Sequence, residues 1–378
     1  MRQLFNGKVQ KQYNPGITCQ YIMRFFIQKK HCILSHINTR TNLLTEKILS
    51  GRSIFRFLQI FALLFYLPSA PGAESIAEIK NYDTELINQS GTYKVGILSI
   101  ATLSNVTIDG FKVSELSGLA WDEDENILYA LSDNGYLLHL KPVFRNGHLF
   151  DVEFLAGYHL LDNKNHPLKY KDADSEGLAI INGNNGRKSD TELLVCFERK
   201  PRLIKFKPDG VPLSNITLPD ALSDIKNYRS ENRSLEAVTI HKKFGIMLGP
   251  ENPLSGQDDA LMYIYSVNGK IWNVPLKNTN YGALVDMTTM PDDSLLLLER
   301  AYGGLFPTME ISLHKLIPDE GEGKNELIYS FPDNDGMFDE NFEGITHFKN
   351  NEYFMISDDN NHPLSRILLV HFSITKIQ

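Results

Sequence analysis

One short pattern returns five times along this 378-residue chain: an acidic residue at the head of a short apolar run, usually followed by a small residue. The copies are Glu115 in SELSGLAW, Glu176 in DSEGLAII, Glu236 in SLEAVTIH, Asp286 in VDMTTM and Glu343 in NFEGITHF, spaced 61, 60, 50 and 57 residues apart. Self-similarity at such a period marks a propeller or another repeat array, in which each repeat buries its apolar face against the next. A propeller brings the same position of every blade to one axis. The five carboxylates are therefore expected to face one another across a central channel.

Each copy has a second half, a strand-like run that again ends in an acid. These runs are LYALSDNG with Asp133, LLVCFER with Glu198, IMLGPEN with Glu251, LLLLER with Glu299 and YFMISDDN with Asp358. Continuous apolar stretches such as ELLVCF and LLLL suit strands covered on both faces, and the acids, Gly, Asn and Pro at their ends mark turns. Two acidic tiers are expected, one at the start of each inner strand and one at the end of the next. From about residue 92 onward no long helical period appears, so the chain reads as all-β.

Counting strand-like runs gives five blades of four strands, with six as the alternative. The fifth blade supplies only FEGITHF, EYFMISD and RILLVHF; TYKVGILSIATL, ahead of the first blade, is expected to add its outer strand and close the ring. Closure matters because an open sheet edge invites aggregation, and propellers leave only short protected edges. The longer loops 161–175, 219–234 and 331–341 each precede a repeat acid, so they are expected to gather at one mouth of the channel. Loops grouped on a rigid scaffold are the usual place for a site.

The charge is unevenly spread. Residues 1–56 hold ten Lys and Arg against one acid, and the remainder carries 28 basic and 45 acidic side chains, a net of −17. So acidic a body argues against nucleic acid, whose binding rests on neutralising phosphates. It suits a cation-binding protein, although an ordinary acidic surface gives the same balance. Residues 52–73, RSIFRFLQIFALLFYLPSAPGA, have a basic start, an apolar core of roughly a dozen residues and small residues with prolines, the layout of a signal peptide. The reading is a doubtful extension over 1–50, whose start would be mis-assigned, then a signal peptide over 51–73, a linker over 74–91 and the propeller over 92–378. It implies a secreted or periplasmic protein with no membrane contact in its mature form. Cys19 and Cys32 fall in the first segment, which leaves Cys196 as a small core residue and no internal disulfide.

The units DSEGLAI and NFEGITHF, with the strand ends LLVCFERK, LLLLERAY and ALSDNG, resemble the "esterase-like activity of phytase" family, also called phytase-like. The resemblance runs from about residue 92 to 376. It implies a β-propeller, export, and hydrolysis of phosphoesters by acidic residues. Blade four departs from the pattern, with Asp286-Met287 for Glu-Gly, and blade three has Glu236-Ala237, so the ring is not uniform.

Several carboxylates around one axis raise each other's pKa, and a bound cation relieves the repulsion. Calcium fits best, because it takes six to eight oxygen ligands in irregular geometry. No His or Cys pattern among the acids suggests zinc. The expected ligands are Glu115, Glu176, Glu236, Asp286 and Glu343. The expected catalytic set is Glu176 and Glu343 with Arg199 and Arg300, which directly follow strand-end glutamates and are placed to hold phosphate as forked donors. Lys200 adds charge beside Arg199. For any one acid the competing role is structural, accepting hydrogen bonds from the next blade's backbone. Asp333, Asp335 and Asp339 read as a solvated acidic loop rather than a loop calcium site. His166, His241, His347 and His362 lie near blade edges, and His347, alternating with Ile345, is expected to face inward in a structural role. No G-x-S-x-G elbow, P-loop or dinucleotide fingerprint is present.

The sequence therefore points to a monomeric, calcium-dependent hydrolase of a small phosphoester or other anion. A binding propeller without catalysis, and a lactonase or sugar-ester hydrolase on a similar metal-centred ring, are the alternatives.

Overall fold

In a computed structural model, the structure describes residues 74–303, 308–331, 338–362 and 364–377. The expected extension and signal peptide, with Cys19 and Cys32, lie outside the described residues, as do Asp333 and Asp335. Among the described residues no helix is long and apolar enough to cross a membrane.

The chain opens with β1 (Glu74–Ser75), β2 (Ala77–Ile87) and β3 (Tyr93–Leu103), followed by a small ribbon of β4 (Thr107–Ile108) and β5 (Phe111–Lys112). Blade one is β6 (Leu116–Asp122), β7 (Ile127–Ser132), β8 (Tyr136–Arg145) and β9 (His148–His159). Blade two is β10 (Ser175–Ile181), β11 (Glu192–Phe197), β12 (Arg202–Phe206) and β13 (Pro212–Ile216). Blade three is β14 (Leu235–His241), β15 (Gly245–Pro250), β16 (Leu261–Ser266) and β17 (Ile271–Pro275). Blade four is β18 (Gly282–Thr289), β19 (Leu295–Gly303), β20 (Thr308–Ile317) and β21 (Lys324–Phe331). Blade five combines β22 (Asn341–Lys349), β23 (Glu352–Asp358) and β24 (Ile367–Lys376) with β3 and β2.

The protein is thus an all-β, five-bladed propeller of antiparallel sheets. β3 pairs with β24 from Ile367↔Leu103 to Lys376↔Tyr93, so material before blade one belongs to the fifth sheet and founds no sixth blade. The stretch read as a linker, 74–91, instead carries strands: β1 pairs with β9 and β2 with β3. Its sequence AEIKNYDTELI hides the strand because β2 is an edge strand with only one face against the core, and a register shift between Asn81 and Thr84 breaks the alternation.

Each blade buries both faces against its neighbours, which is why the second strands read as unbroken apolar runs. Five apolar clusters fill the five seams between adjacent blades. In the seam between blades five and one, Phe354 and Leu369 pack with Leu119 and Leu138. Between blades two and three, Cys196 packs with Leu235 and Val238 as a buried free thiol, the role its strand predicts. Polar side chains fasten seams as well. Fully buried Asp359 of the fifth blade's loop accepts from the Ser114 hydroxyl at 2.7 Å and the Glu115 amide at 2.9 Å.

Candidate functional site

The innermost strand of every blade bulges at one residue near its start. In β6 the register jumps between Leu116 and Gly118, in β10 between Ser175 and Leu178, in β14 between Leu235 and Ala237, in β18 between Leu284 and Asp286, and in β22 between Phe342 and Gly344. The residues at the bulge are therefore Ser117, Glu176, Glu236, Val285 and Glu343. A bulge leaves one extra residue unpaired and re-aims its side chain. Three of the five expected ligands, Glu176, Glu236 and Glu343, hold this position.

The other two do not. Glu115 precedes its bulge by two residues, at a positive φ of 52°. Its carboxylate accepts from Asn134 at 2.7 Å. Asp286 follows its bulge by one residue, so its side chain leaves the channel. It is fully buried and accepts from its own Met287 amide at 2.8 Å and from the Ile345 amide of the next blade at 2.7 Å. Asp286 is thus a clasp between blades, and burial pushes its carboxyl well above the usual range.

Asp286 holds the position just after the bulge, where other blades carry Gly118, Gly177, Ala237 and Gly344, and the packing there explains the Gly of the motif. A Cβ on Gly177 would meet the Glu236 carbonyl oxygen at 2.5 Å and Cys196 Sγ at 2.8 Å, and one on Gly118 would meet the Glu176 carbonyl oxygen at 2.8 Å. The next blade's backbone approaches too closely there for most side chains.

The second tier is built the same way. The residue before each bulge pairs with Ser132, Phe197, Pro250, Glu299 or Ser357 of the second strand, and the residues that follow these partners are Asp133, Glu198, Glu251, Arg300 and Asp358. Glu299, grouped with the strand-end acids by sequence, is one residue off. It is buried, accepts from the Lys277 and Asn278 amides and pairs with His314 at 2.6 Å, all away from the channel. Arg300 takes its place in the ring. Its guanidinium binds Glu343, Asn341 at 2.6 Å and Glu251 at 3.2 Å. Burial works against its charge, but Glu343, Glu251 and Glu236 hold its pKa above the ordinary arginine value.

The remaining acids have little compensation. Burial, then Glu343 and Glu198, push Glu176 well above the carboxylate range, and burial, then Glu176 and Glu251, do the same to Glu236. Asp133 is pushed up to about 8 by burial and by Glu115, Glu198 to about 8 by burial and Asp174, and Asp358 to about 8 by burial and Glu343. Two groups of carboxylates converge. Asp174, Glu176 and Glu198 offer oxygens within 4.8 Å of one another, and so do Glu198, Glu236 and Glu251. Asp174, Glu198 and Glu251 were outside the ligand set that the sequence suggested. Glu198 and Glu251 are among the strand-end acids of the sequence, and the fold brings them together with Asp174.

Arg199 donates through Nε to Asp174 and keeps a third of its side chain in solvent, with 34% exposed. Lys200 pairs with Asp172 at 2.7 Å. A pocket of about 630 Å³ opens here, beside Asp133, Asp174 and Arg199, under the loop that carries Lys169 and Lys171. His347 lines the opposite mouth of the channel, where its Nε2 lies 3.0 Å from the Asn350 carbonyl oxygen. His241 Nδ1 accepts from the Lys243 and Phe244 amides, which makes it a turn residue. His166 lies against Asp162 in an exposed turn, His362 accepts from the Leu364 amide, and Asp339 is exposed.

The Phytase-like family, described as "esterase-like activity of phytase", matches residues 112–361, about two thirds of the chain, and the chain belongs to this family. Among solved structures the chain is similar to the Cps50 (Swd1) β-propeller domain of Myceliophteria thermophila, with 10% identity, 80% of this chain and 100% of that chain covered, and a TM-score of 0.35. It is similar to the gluconolactonase XC5397 of Xanthomonas campestris, with 11% identity, coverages of 81% and 99% and a TM-score of 0.36. It is also similar to Sqt1 of Saccharomyces cerevisiae, with 9% identity, coverages of 81% and 98% and a TM-score of 0.35. No curated protein matches the sequence.

Proposed function

We propose that this member of the Phytase-like family is an exported, calcium-dependent phosphoester hydrolase whose acidic residues line the central channel. The observation that carries the reading is the convergence of Asp174, Glu176 and Glu198, whose oxygens lie within 4.8 Å of one another. Hard oxygen donors without His or Cys fit calcium rather than zinc or a softer metal. The pKa of Glu198, raised to about 8 by burial and Asp174, marks repulsion that a cation would relieve.

When bound, the cation supplies positive charge at the phosphoryl oxygens. The chain's own groups do the rest. Arg199 Nε holds Asp174, and its guanidinium, which lines the adjoining pocket, binds the anion that enters there. Glu343, held by Arg300 and Asn341, accepts a proton from the attacking water. Water oxygen bonds to phosphorus, the ester P–O bond breaks, and the leaving oxygen takes the proton that Glu343 accepted from the water.

The test is release of phosphate from p-nitrophenyl phosphate by the purified protein, with calcium, with chelator and with calcium restored. Activity lost on chelation, recovered on restoration and absent in Glu176→Gln supports the reading. Bound calcium without phosphate release would favour a binding propeller, and turnover of a lactone instead would favour the lactonase alternative.

A further inference from the structure

We infer that the channel holds two divalent cations joined by Glu198, the second one bound by Glu198, Glu236 and Glu251. This rests on the reading that the acidic channel takes calcium. Glu198 belongs to both convergent groups, and a carboxylate has two oxygens with about four lone-pair sites, enough to serve a cation on each side.

The second group is the more deeply placed. Glu198 is 6% exposed, Glu236 7% and Glu251 7%. Among the described residues the Glu236 carboxylate accepts no hydrogen bond and forms no ion pair, although its oxygen lies within 4.8 Å of two other carboxylates. A nine-tenths buried carboxylate that accepts no hydrogen bond and is set among other carboxylates is costly unless a cation or proton joins it.

Ser234 adds an independent sign. It stands two residues before Glu236, the place that Asp174 holds before Glu176. It is fully buried, its amide donates to Glu198 at 3.3 Å, and its hydroxyl has no partner. A hydroxyl oxygen in the place of a carboxylate is a neutral ligand of the kind calcium accepts.

The charges facing this group come from blades two to five. Glu176 of blade two and Glu343 of blade five add negative charge. Arg300 of blade four reaches Glu251 at 3.2 Å, and Arg233 of blade three contributes at longer range. Arg300 is shared with Glu343, so it cannot balance three carboxylates alone.

Calorimetric titration of calcium into the chelator-stripped protein, paired with terbium luminescence, tests the inference. Two equivalents are expected in the parent protein. One is expected in Asp174→Asn and one in Glu236→Gln, while Glu198→Gln should weaken both by tenfold or more. Circular dichroism confirms that each variant is folded, and Glu198→Asp serves if the glutamine variant is not. One equivalent in the parent, or binding in Glu236→Gln identical to the parent, overturns the second site and leaves a single-calcium hydrolase standing. Two equivalents without phosphate release keep the paired site and remove the hydrolase reading. No calcium bound at all overturns both.

Discussion

Arg300 of blade four is ion-paired with Glu343 of blade five, and it stands at the register position where the other four blades carry Asp133, Glu198, Glu251 and Asp358. One guanidinium thus replaces one acid in the ring and ties three blades together, because it also reaches Glu251 of blade three at 3.2 Å.

Replacing it should have two opposite effects. Arg300→Gln leaves Glu251 and Glu343 buried without their cation, and removing one partner of a buried pair costs about 3–5 kcal/mol. Urea unfolding in chelator should show that loss. The same variant should bind calcium more tightly, read by calorimetry, because the ring then lacks its resident positive charge. Unchanged stability would mean that Arg300 is peripheral to the ring.

The acids set the pH response of the cation-free protein. Asp133, Glu198 and Asp358 are raised to about 8, well above their unfolded values. Between about pH 4 and 8 the folded state then binds more protons than the unfolded state, so stability falls as pH rises through that window. Thermal melts in chelator should decline from pH 5 to pH 9, and saturating calcium should flatten the decline. A chelated protein that gains stability toward pH 8 would contradict this.

Asp286 separates a clasp from a ligand. Asp286→Ala leaves the Ile345 amide without its acceptor, worth about 1–3 kcal/mol. Calcium affinity should stay within twofold of the parent, whereas Glu176→Gln should lower it tenfold or more with a smaller change in melting temperature.

Gly177→Ala should destabilise by about 1–3 kcal/mol through overpacking, since the added carbon would meet the Glu236 carbonyl oxygen at 2.5 Å. Gly147, with nothing within 4 Å but a φ of +84°, serves as a control for backbone strain without crowding. Denaturant midpoints of the two alanine variants compare the causes directly.

Much of this architecture is legible in the chain itself. The spaced repeat, the unbroken apolar second strands and the turn residues at their ends determine an all-β propeller of five or six blades, because strand burial and period follow from local pattern, and the pairing of β3 with β24 makes the number five. Glu176, Glu236 and Glu343 were also legible, each at the head of its inner strand. Three things were decided only by tertiary structure. A bulge of one residue reverses which side chain faces the axis, so Glu115 and Asp286 share the motif but not the place. The same one-residue step puts Arg300, not Glu299, in the second tier. The carboxylates of Asp174, Glu198 and Glu251 converge with those of Glu176 and Glu236 only when neighbouring blades bring them together, and no spacing along one strand records a distance between blades.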